Sequence, residues 1–511
     1  MLAIFLALRQ SDPYFVKDLR NRSFDIYQQI KPREYSPQPV RVVDLDEQSL
    51  RELGQWPWPR TTIAQLIDRI GISGAAVIAF DIVFAEKDRL SPRVFAKENP
   101  ALSSQVRNEL QRLPDNELVM RDAIGRNRVV LGETSIRNAN DRSEGSIDEQ
   151  FTPTDAPFVQ IGEDPRQFLH TFTEIVANLK VLDEVATGRG MFSIEQDADG
   201  IIRRLPLVMN VENSVRFALS AEALRLATGG DSFAVRTTVA GLEGLVIAGQ
   251  LVSTDPKGNI WPYFTSVPQN RYIPAADILS GEFDPDLLHG HIVLVGTSAV
   301  GLEDYRSIPL GKRVPGVEIH AQVIENLLTG EKLERPFFAL LYELAAIALV
   351  GLVMVFAVPL LGAGWSAVLA AVTIFAMIAA SWTAFSGYRV LLDATWPVLT
   401  TLALFLMMAV FNYLREERQK QQIRSAFGQY LSPALVKRLS DNPEHLALGG
   451  TTRELSVLFT DIRGFTTLSE SYRRNPQGLT RLMNRFLTVL SQPILDRYGT
   501  IDKYMGDGLM A

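Results

Sequence analysis

The sequence contains no cysteine and only five histidines in 511 residues. Disulfide frameworks, thiolate zinc sites, iron–sulfur clusters and cysteine nucleophiles are therefore excluded, and a histidine-rich metal cluster is disfavoured. Basic charge is also scarce, because 51 Lys and Arg stand against 58 Asp and Glu, for a net charge of −7. We therefore expect no nucleic-acid partner. With 47% hydrophobic and 21% charged residues, the chain is too apolar for disorder and too long for one core, which predicts two or three domains.

Hydrophobic residues are concentrated in three runs within residues 337–414. Phe337–Leu361 carries a single charge, Glu343, whereas Gly364–Ser386 and Ala394–Leu414 carry none. About 20 apolar residues are enough for a helix to cross a bilayer. Buried helices of a soluble protein usually keep a polar stripe, and these runs have none. They predict three transmembrane helices, with the lipid bilayer as a partner.

The charges beside these runs indicate an orientation. Arg415, Arg418, Lys420 and Arg424 directly follow the third run, so we expect the C-terminal side to be cytoplasmic. Three crossings then place residues 10–335 outside the cytoplasm, in a multi-pass protein of the cell (inner) membrane. Residues 1–9 contain an apolar stretch too short to cross and without a cleavage site, and we interpret them as the remnant of a fourth, N-terminal membrane helix.

Residues 10–335 alternate short β-branched runs with helical patterns, which predicts an α/β domain with a mixed sheet. The predicted strands are Val40–Leu45, Ala75–Phe84, Val129–Gly132, Ile201–Val211 and His291–Gly296. The predicted helices are Ser49–Leu53, Thr61–Ile70, Phe217–Ala227 and Glu318–Leu328.

Three segments of this region carry a resemblance: residues 43–60 (VDLDEQSLRELGQWPWPR), 74–88 (GAAVIAFDIVFAEKD) and 199–206 (DGIIRRLP). They resemble the second type of CHASE domain, an extracytoplasmic sensor of bacterial cyclases and histidine kinases. The resemblance implies a binding module, whose ligand the residues do not identify. For Trp56-Pro57-Trp58-Pro59-Arg60, a rigid packed loop is favoured over a ligand site, because prolines fix the backbone and indoles need large apolar sockets.

Three acidic residues, Asp44, Asp46 and Asp81, follow predicted strands. One interpretation is a site for a cation or a ligand head group, and the other is capping of the helices that come next. No spacing in the sequence decides between them.

Residues 415–450 form a predicted helical connector. Arg415–Phe427 lacks Pro and Gly, so the third membrane helix is expected to continue as a charged helix into the cytosol. Ser432-Pro433 is typical of the start of a second short helix, ending near Leu439.

Residues 451–511 contain two elements that suit phosphate chemistry. In the first, the apolar run Leu455–Phe459 leads to Asp461, which is followed by a glycine turn and the start of a helix. Such a carboxylate can hold a cation, while the free N–H groups of the turn face phosphate oxygens. In the second, Gly506-Asp507-Gly508 predicts a hairpin turn. Each element alone has a structural interpretation, as a helix cap or as a turn. Two carboxylates on adjacent strands suit the binding of two divalent cations, and an amphipathic helix is predicted between them, over Leu479–Arg497.

This order of residues resembles the catalytic domain of class III adenylate and guanylate cyclases, an α+β ferredoxin-like fold. The resemblance implies that Asp461, Asp507 and the Ile462 carbonyl bind two Mg²⁺ or Mn²⁺ ions per active site. It also implies that Gly464, Phe465 and Thr466 hold the terminal phosphates of the nucleotide.

Lys503 occupies the position at which the family reads the base, where Lys suits adenine and Glu suits guanine; this favours ATP over GTP. In the family, metal-binding and base-reading residues come from different subunits. The resemblance therefore implies a homodimer through the catalytic domain and the membrane and connector helices.

The leading hypothesis is a membrane-bound receptor adenylate cyclase that converts ATP to cyclic AMP and pyrophosphate. The alternatives are a non-catalytic sensor with a degenerate cyclase domain and a guanylate cyclase. Because the family's catalytic domain is longer than residues 451–511, we expect this sequence to be a fragment that lacks the second base-reading residue and is inactive alone. A histidine kinase output is disfavoured, because His445 is the only histidine after the membrane runs and no Gly-rich ATP-lid pattern follows.

Overall fold

The computed structural model describes residues 2–136, 156–299, 302, 304–427, 452 and 454–511. Contacts divide the chain into two units, one of residues 1–352 with 371–401 and one of residues 353–370 with 402–511. The α-helices of the described residues are α1 Leu2–Ser11, α2 Tyr14–Ile30, α3 Glu47–Leu53, α4 Arg60–Ile72, α5 Pro92–Glu98, α6 Ser104–Arg112, α7 Asn116–Arg126, α8 Lys180–Asp183, α9 Leu219–Ala227, α10 Ala275–Ser280, α11 Gly316–Thr329, α12 Ala339–Ala357, α13 Ala363–Tyr388, α14 Thr395–Phe427, α15 Phe465–Ser471 and α16 Pro476–Asp496.

The β-strands of the described residues are β1 Val40–Leu45, β2 Val77–Phe80, β3 Val129–Ile136, β4 Phe158–Ile161, β5 Thr171–Phe172, β6 Glu174–Val176, β7 Gly188–Met191, β8 Leu205–Pro206, β9 Val208–Val211, β10 Ser214–Phe217, β11 Phe233–Thr238, β12 Gly241–Ile247, β13 Gln250–Ser253, β14 Asn259–Ile260, β15 Tyr272–Pro274, β16 Ile292–Thr297, β17 Tyr305–Ser307, β18 Arg313–Pro315, β19 Phe459–Thr460, β20 Lys503–Met505 and β21 Gly508–Met510.

The centre of the first unit is a seven-stranded sheet in the order β15-β1-β16-β2-β3-β6, with β7 paired to β3. Its pairs are parallel except for β3 and β6. Strands β1, β2 and β16 are nearly continuous runs of Val, Ile, Leu, Ala and Phe, because a parallel sheet is covered on both faces. Smaller sheets β10-β9-β5 and β13-β12-β11-β4 belong to the same unit. The predicted mixed-sheet α/β architecture of this region is confirmed.

Most predicted elements of this domain are present, with changed ends. The strand Val40–Leu45 has the predicted bounds, whereas the strand predicted over Ala75–Phe84 covers only Val77–Phe80. The strand predicted over Ile201–Val211 is interrupted: Ile201 makes an isolated bridge, and strands resume at Leu205 and Val208. The side chain of Arg203 is engaged with three carboxylates at this interruption, which takes the backbone out of a regular ladder.

Helices α12, α13 and α14 are long and apolar enough to cross a membrane, over residues 339–360, 364–388 and 395–422. They match the three predicted runs. Helix α14 continues without interruption from Thr395 to Phe427, as predicted for the charged extension. The helix start predicted at Ser432-Pro433 lies outside the described residues.

The short N-terminal apolar stretch is helix α1, of 10 residues. It lies along α12: a Cβ added at Gly351 would come within 2.2 Å of the Leu2 side chain, and Arg9 forms an ion pair with Glu343. Helix α1 is therefore packed against α12, and the interpretation of residues 1–9 as the remnant of a membrane helix stays a prediction.

The last described segment forms a small α/β arrangement within the second unit. Strands β19, β21 and β20 form an antiparallel sheet in that order. Helices α15 and α16 lie between β19 and β20 along the chain. The amphipathic helix predicted over Leu479–Arg497 is present as α16, which begins three residues earlier.

Candidate functional site

The first acidic element of the C-terminal segment lies at the end of a strand. Asp461 directly follows β19, and Gly464 precedes α15 with a φ of +80°, a left-handed conformation that glycine adopts without strain. No side chain caps the start of α15. The Ile462 carbonyl accepts a hydrogen bond from the Phe465 N–H at 3.3 Å, and its second lone pair remains for another ligand. The predicted sequence of strand, acid, glycine turn and helix is therefore present.

The second acidic element is a hairpin turn between β20 and β21. Met505 pairs with Gly508, so Gly506 and Asp507 form the turn, and Gly506 has a φ of +67°. The predicted hairpin is confirmed, and Asp507 is half-buried at its tip.

Strand pairing brings the two acidic residues to the same end of the sheet. Phe459 pairs with Met510 and Thr460 with Leu509, so the next step of the register sets Asp461 opposite Gly508, the neighbour of Asp507. A Cβ at Gly508 would lie 2.0 Å from the Thr460 carbonyl oxygen and 3.4 Å from the Asp461 Cα. Only glycine permits this approach, which explains the glycine that follows Asp507.

The two carboxylates at this end of the sheet suit the binding of a cation, and such a cation can in turn bind a phosphorylated ligand. Neither carboxylate, of Asp461 or Asp507, has a hydrogen bond or ion pair within the described segments. Across the described chain, no group of three or more His, Asp or Glu side chains is arranged to hold a metal. Two carboxylates and a carbonyl are hard oxygen donors of the kind Mg²⁺ prefers, and Mg²⁺ takes its remaining ligands from water and phosphates. The residues fit such an ion with a nucleotide completing its coordination.

The remaining predicted site residues surround this pair of acids along the chain. Phe465 and Thr466 occupy the first turn of α15 after Gly464. Lys503 begins β20, is exposed, and makes an ion pair of 3.2 Å with the adjacent Asp502. Its ammonium group is therefore at the surface, where a partner chain or ligand can reach it.

A second acidic group lies at the carboxyl edge of the large sheet. Asp44 and Asp81 both align with Gly296 of the strand between them, which separates their Cα atoms by about 10 Å. Asp46 caps α3 by accepting from the Ser49 N–H at 2.8 Å, so the capping interpretation is confirmed for Asp46. The trio does not converge on one point.

Burial changes the acidity of the other two acids. Desolvation raises the pKa of Asp44 to about 6, although its carboxylate accepts hydrogen bonds from the Ser298 N–H and hydroxyl at 2.9 and 2.6 Å. Desolvation, reinforced by the nearby carboxylate of Asp304, raises the pKa of Asp81 well above its usual value.

Comparison with known families decides the identity of the larger unit. The profile of the CHASE2 domain matches residues 1–358. The chain belongs to the CHASE2 domain family.

Relatives of the CHASE2 chain match it over short stretches. An adenylate cyclase of Anabaena cylindrica is 39% identical over 69 residues, which cover 13% of each chain. Two uncharacterized proteins of Mycobacterium tuberculosis are 31% identical over 102 residues and 29% identical over 90 residues. The chain spans only 13% to 17% of the length of these relatives. No solved structure matches the chain.

The tryptophan-proline element of the CHASE2 domain is a packed loop, as favoured from the sequence. Trp58 is buried, and its indole N–H donates to the Gly54 carbonyl at 2.8 Å. The Arg60 guanidinium lies 4.7 Å from the centre of the Phe84 ring, and the Arg60 N–H donates to Asp88. These contacts hold the side chains of Trp58 and Arg60 in the interior of the domain.

The Asp-Gly-x-x-Arg-Arg element of the domain forms a buried ion cluster. Arg203 is 2% exposed, and its guanidinium donates to Asp25 at 2.8 and 2.6 Å, to Asp197 at 2.8 Å and to Asp199 at 2.6 Å. Hydrogen bonds from Arg203 lower the pKa of Asp199. For Asp25, desolvation outweighs the hydrogen bonds from Arg203 and raises the pKa. Arg204 pairs with Asp197 as well.

This cluster attaches α2 to the rest of the domain, because Asp25 is on α2 and its partner Arg203 is 178 residues away along the chain. Sequence reasoning did not assign the cluster. The adjacent acids and arginines of residues 197–204 were a signal, but nothing in the sequence identified Asp25 as their partner.

A further ion network joins the CHASE2 domain to the membrane helices. Glu343 of α12 is 2% exposed and pairs with Arg9 and, at 3.0 Å, with Arg335. Arg20 of α2 pairs with Asp393, in the connection between α13 and α14, at 3.4 Å. The one charge within the apolar runs, Glu343, and the acid directly before the third run, Asp393, are therefore both paired with arginines, of which Arg9 and Arg20 belong to the N-terminal helices.

Proposed function

We propose that this protein is a receptor adenylate cyclase of the inner membrane. The CHASE2 domain binds a ligand outside the cytoplasm, and cytoplasmic residues from 451 onward belong to a catalytic domain that converts ATP to cyclic AMP and pyrophosphate. The observation that carries the proposal is the strand register that sets Asp461 beside the turn containing Asp507. The similarity to a cyanobacterial adenylate cyclase supports it independently.

In this proposal, Asp461, Asp507 and the Ile462 carbonyl hold two Mg²⁺ or Mn²⁺ ions. When bound, the ions favour ionisation of the ribose 3′-hydroxyl and neutralise charge on the departing pyrophosphate. The two carboxylates suit this role because both lack other partners within the described residues. The 3′-oxygen forms a bond to the α-phosphorus, the bond from the α-phosphorus to the pyrophosphate oxygen breaks, and the 3′ proton passes to solvent.

The other residues bind and orient the nucleotide. The backbone of Gly464, Phe465 and Thr466 lies against the terminal phosphates, at a helix start that no side chain caps; the Phe465 N–H also donates to the Ile462 carbonyl. The Lys503 ammonium donates to N1 of adenine, an acceptor that guanine lacks at that position. Each active site combines the acids of one chain with the Lys503 of a second chain, so the active form is a homodimer through the catalytic, membrane and connector segments.

Helix α14 supplies a physical path for the signal. It is one continuous helix of 33 residues, from the third membrane span to Phe427. A continuous helix transmits rotation or translation along its axis, which changes the alignment of two catalytic domains in a dimer.

The assay is production of cyclic AMP from ATP by the product of the complete gene, in membranes with Mg²⁺ or Mn²⁺. Asp461→Ala and Asp507→Ala should each lower the rate by about a hundredfold or more. The matched control is Glu470→Gln, which removes an exposed carboxylate of α15 outside the proposed site and should leave the rate unchanged.

Undiminished activity in either aspartate variant would contradict the metal assignment. An inactive wild-type protein that folds and binds no nucleotide would favour a non-catalytic sensor. Lys503→Glu should reduce the use of ATP relative to GTP while leaving Mn²⁺ binding in place; an unchanged preference would remove the base assignment.

A further inference from the structure

Helix α2 lies against the membrane helices with one of its faces. Val16 packs with Ile347 of α12 and Trp396 of α14. Tyr27 donates to the Ser381 hydroxyl of α13 at 3.1 Å, and its ring contacts Trp382 and Phe385.

These contacts fix the level of α2 relative to the membrane spans. Ser381 lies seven residues before the end of α13, and Ile347 lies eight residues after the start of α12. At 1.5 Å per residue, both contacts are about 10 to 12 Å inside the helix ends nearest the CHASE2 domain. The polar headgroup region of one leaflet is about 5 to 8 Å thick. The third contact, Trp396, lies one residue after the start of α14. With the helix ends taken as the outer limit of the headgroups, α2 lies between the headgroups and the first part of the acyl chains.

A second face of α2 binds the CHASE2 domain. Asp25 accepts from Arg203, and the Asn21 amide lies 3.4 Å from Asp197. Gln28 accepts from the Phe264 N–H at 3.2 Å. This face is polar and occupied.

The third face of α2 is apolar and exposed. Phe15, Leu19, Ile26 and Ile30 are 71%, 40%, 51% and 65% exposed. At 100° per residue these four side chains fall within about 60° of one another around the helix axis, and Arg22 lies at the edge of this stripe, about 20° beyond Phe15. Such a stripe is costly in water, because each large apolar side chain loses a favourable transfer free energy when it stays exposed.

We propose that this face of α2 inserts into the membrane surface on the side of the CHASE2 domain, as an interfacial amphipathic helix. Its position near the bilayer boundary supports lipid as the occupant, because α2 packs directly against the apolar helices α12, α13 and α14. Tyr14 next to Phe15 and the basic side chain of Arg22, which pairs with Asp18, are residue types enriched at this boundary. Helix α2 also binds Arg203 and packs against the membrane helices. One helix therefore contacts the lipid surface, the CHASE2 domain and the membrane spans.

The absence of cysteine from the chain allows a direct test. A single cysteine at Ile26 carries an environment-sensitive fluorophore in the complete protein, reconstituted into nanodiscs of phosphatidylethanolamine and phosphatidylglycerol. The control is Val239→Cys, at a position that is 89% exposed on the turn between β11 and β12. Ile30→Cys repeats the measurement at a second position of the stripe.

We expect a blue-shifted emission and a several-fold stronger quenching by nitroxide-labelled lipid at Ile26 and Ile30 than at Val239. Equal quenching at all three positions would overturn the proposal. Efficient disulfide formation between two unlabelled Ile26→Cys chains in the same nanodiscs would also overturn it, because a second copy of the chain would then cover the face.

Discussion

Replacing Arg203 by Gln tests whether the buried ion cluster holds α2 on the CHASE2 domain. The guanidinium is 2% exposed and donates to Asp25, Asp197 and Asp199. Asp197 keeps a second partner, Arg204, so the substitution mainly leaves Asp25 and Asp199 without compensation.

The size of the effect follows from burial. Removing one partner of a buried ion pair costs about 3 to 5 kcal/mol, since the remaining charge stays desolvated. Asp25 is 5% exposed, and desolvation already raises its pKa with Arg203 present. For a domain of about 358 residues, such a loss lowers the midpoint of thermal unfolding by roughly 4 to 7 °C.

The assay is thermal unfolding of the complete protein in nanodiscs at pH 7, followed by near-ultraviolet circular dichroism. The control is Arg166→Gln, which breaks an exposed ion pair with Asp164, with side chains 42% and 44% exposed, and should leave the midpoint nearly unchanged because solvent screens such a pair. A midpoint for Arg203→Gln within the range of the control would refute the reasoning. In the Arg203→Gln background, Asp25→Asn should cost less than it does in the wild type, because the two residues interact.

Two further predictions concern the interior of the CHASE2 domain. Gly132→Ala should destabilise the folded domain by about 1 to 3 kcal/mol, because the new Cβ would lie 2.3 Å from the Phe80 carbonyl oxygen. The control, Gly125→Ala, has no atom closer than 3.9 Å to its new Cβ and should stabilise the domain by about 0.5 to 1 kcal/mol. Equal unfolding midpoints for the two variants would contradict this prediction. Burial lowers the pKa of His320 to about 4, so the folded chain binds this proton less readily than the unfolded chain, and stability should fall by up to about 3 kcal/mol as the pH drops from about 6.5 to 4. His320→Gln should flatten the unfolding midpoint over that range relative to wild type; an unchanged slope would show that His320 does not contribute.

The central strands and the membrane helices were predictable from the sequence, because each is a continuous apolar run. The strands are apolar because the sheet is covered on both faces, and the helices because no face of them needs water. Strand β1 has the predicted bounds, and each predicted apolar run corresponds to a long helix. The strand predicted over Ile201–Val211 was wrong in its centre, since local β-propensity does not register that Arg203 turns toward Asp25 on a distant helix.

Helix α2 was not predicted, because its apolar residues are divided between an exposed face and a face against membrane helices. Charged residues such as Arg20 and Asp25 lie between these apolar residues, so the sequence does not show a simple amphipathic pattern. The partners of Glu343 and Asp393 were equally hidden, because Arg9 and Arg20 lie more than 330 residues away.

At the candidate site, the sequence was sufficient for the local elements. The turn at Gly464, the hairpin at Asp507 and helix α16 follow from short-range patterns. The register that sets Asp461 opposite Gly508 is a long-range feature; the sequence indicated only that the two acids could lie on adjacent strands. The roles of these residues toward metal and nucleotide stay predictions.

Activity restored between two inactive variants is the most direct test of the proposed composite active site. Asp461→Asn removes a metal ligand, and Lys503→Glu removes the base reader. Co-expressed in one membrane, the two chains form mixed dimers in which one of the two sites has Asp461 from one chain and Lys503 from the other. We predict cyclic AMP production at about a quarter of the wild-type rate, since half the dimers are mixed and each has one intact site. A mixture no more active than either variant alone would contradict the account.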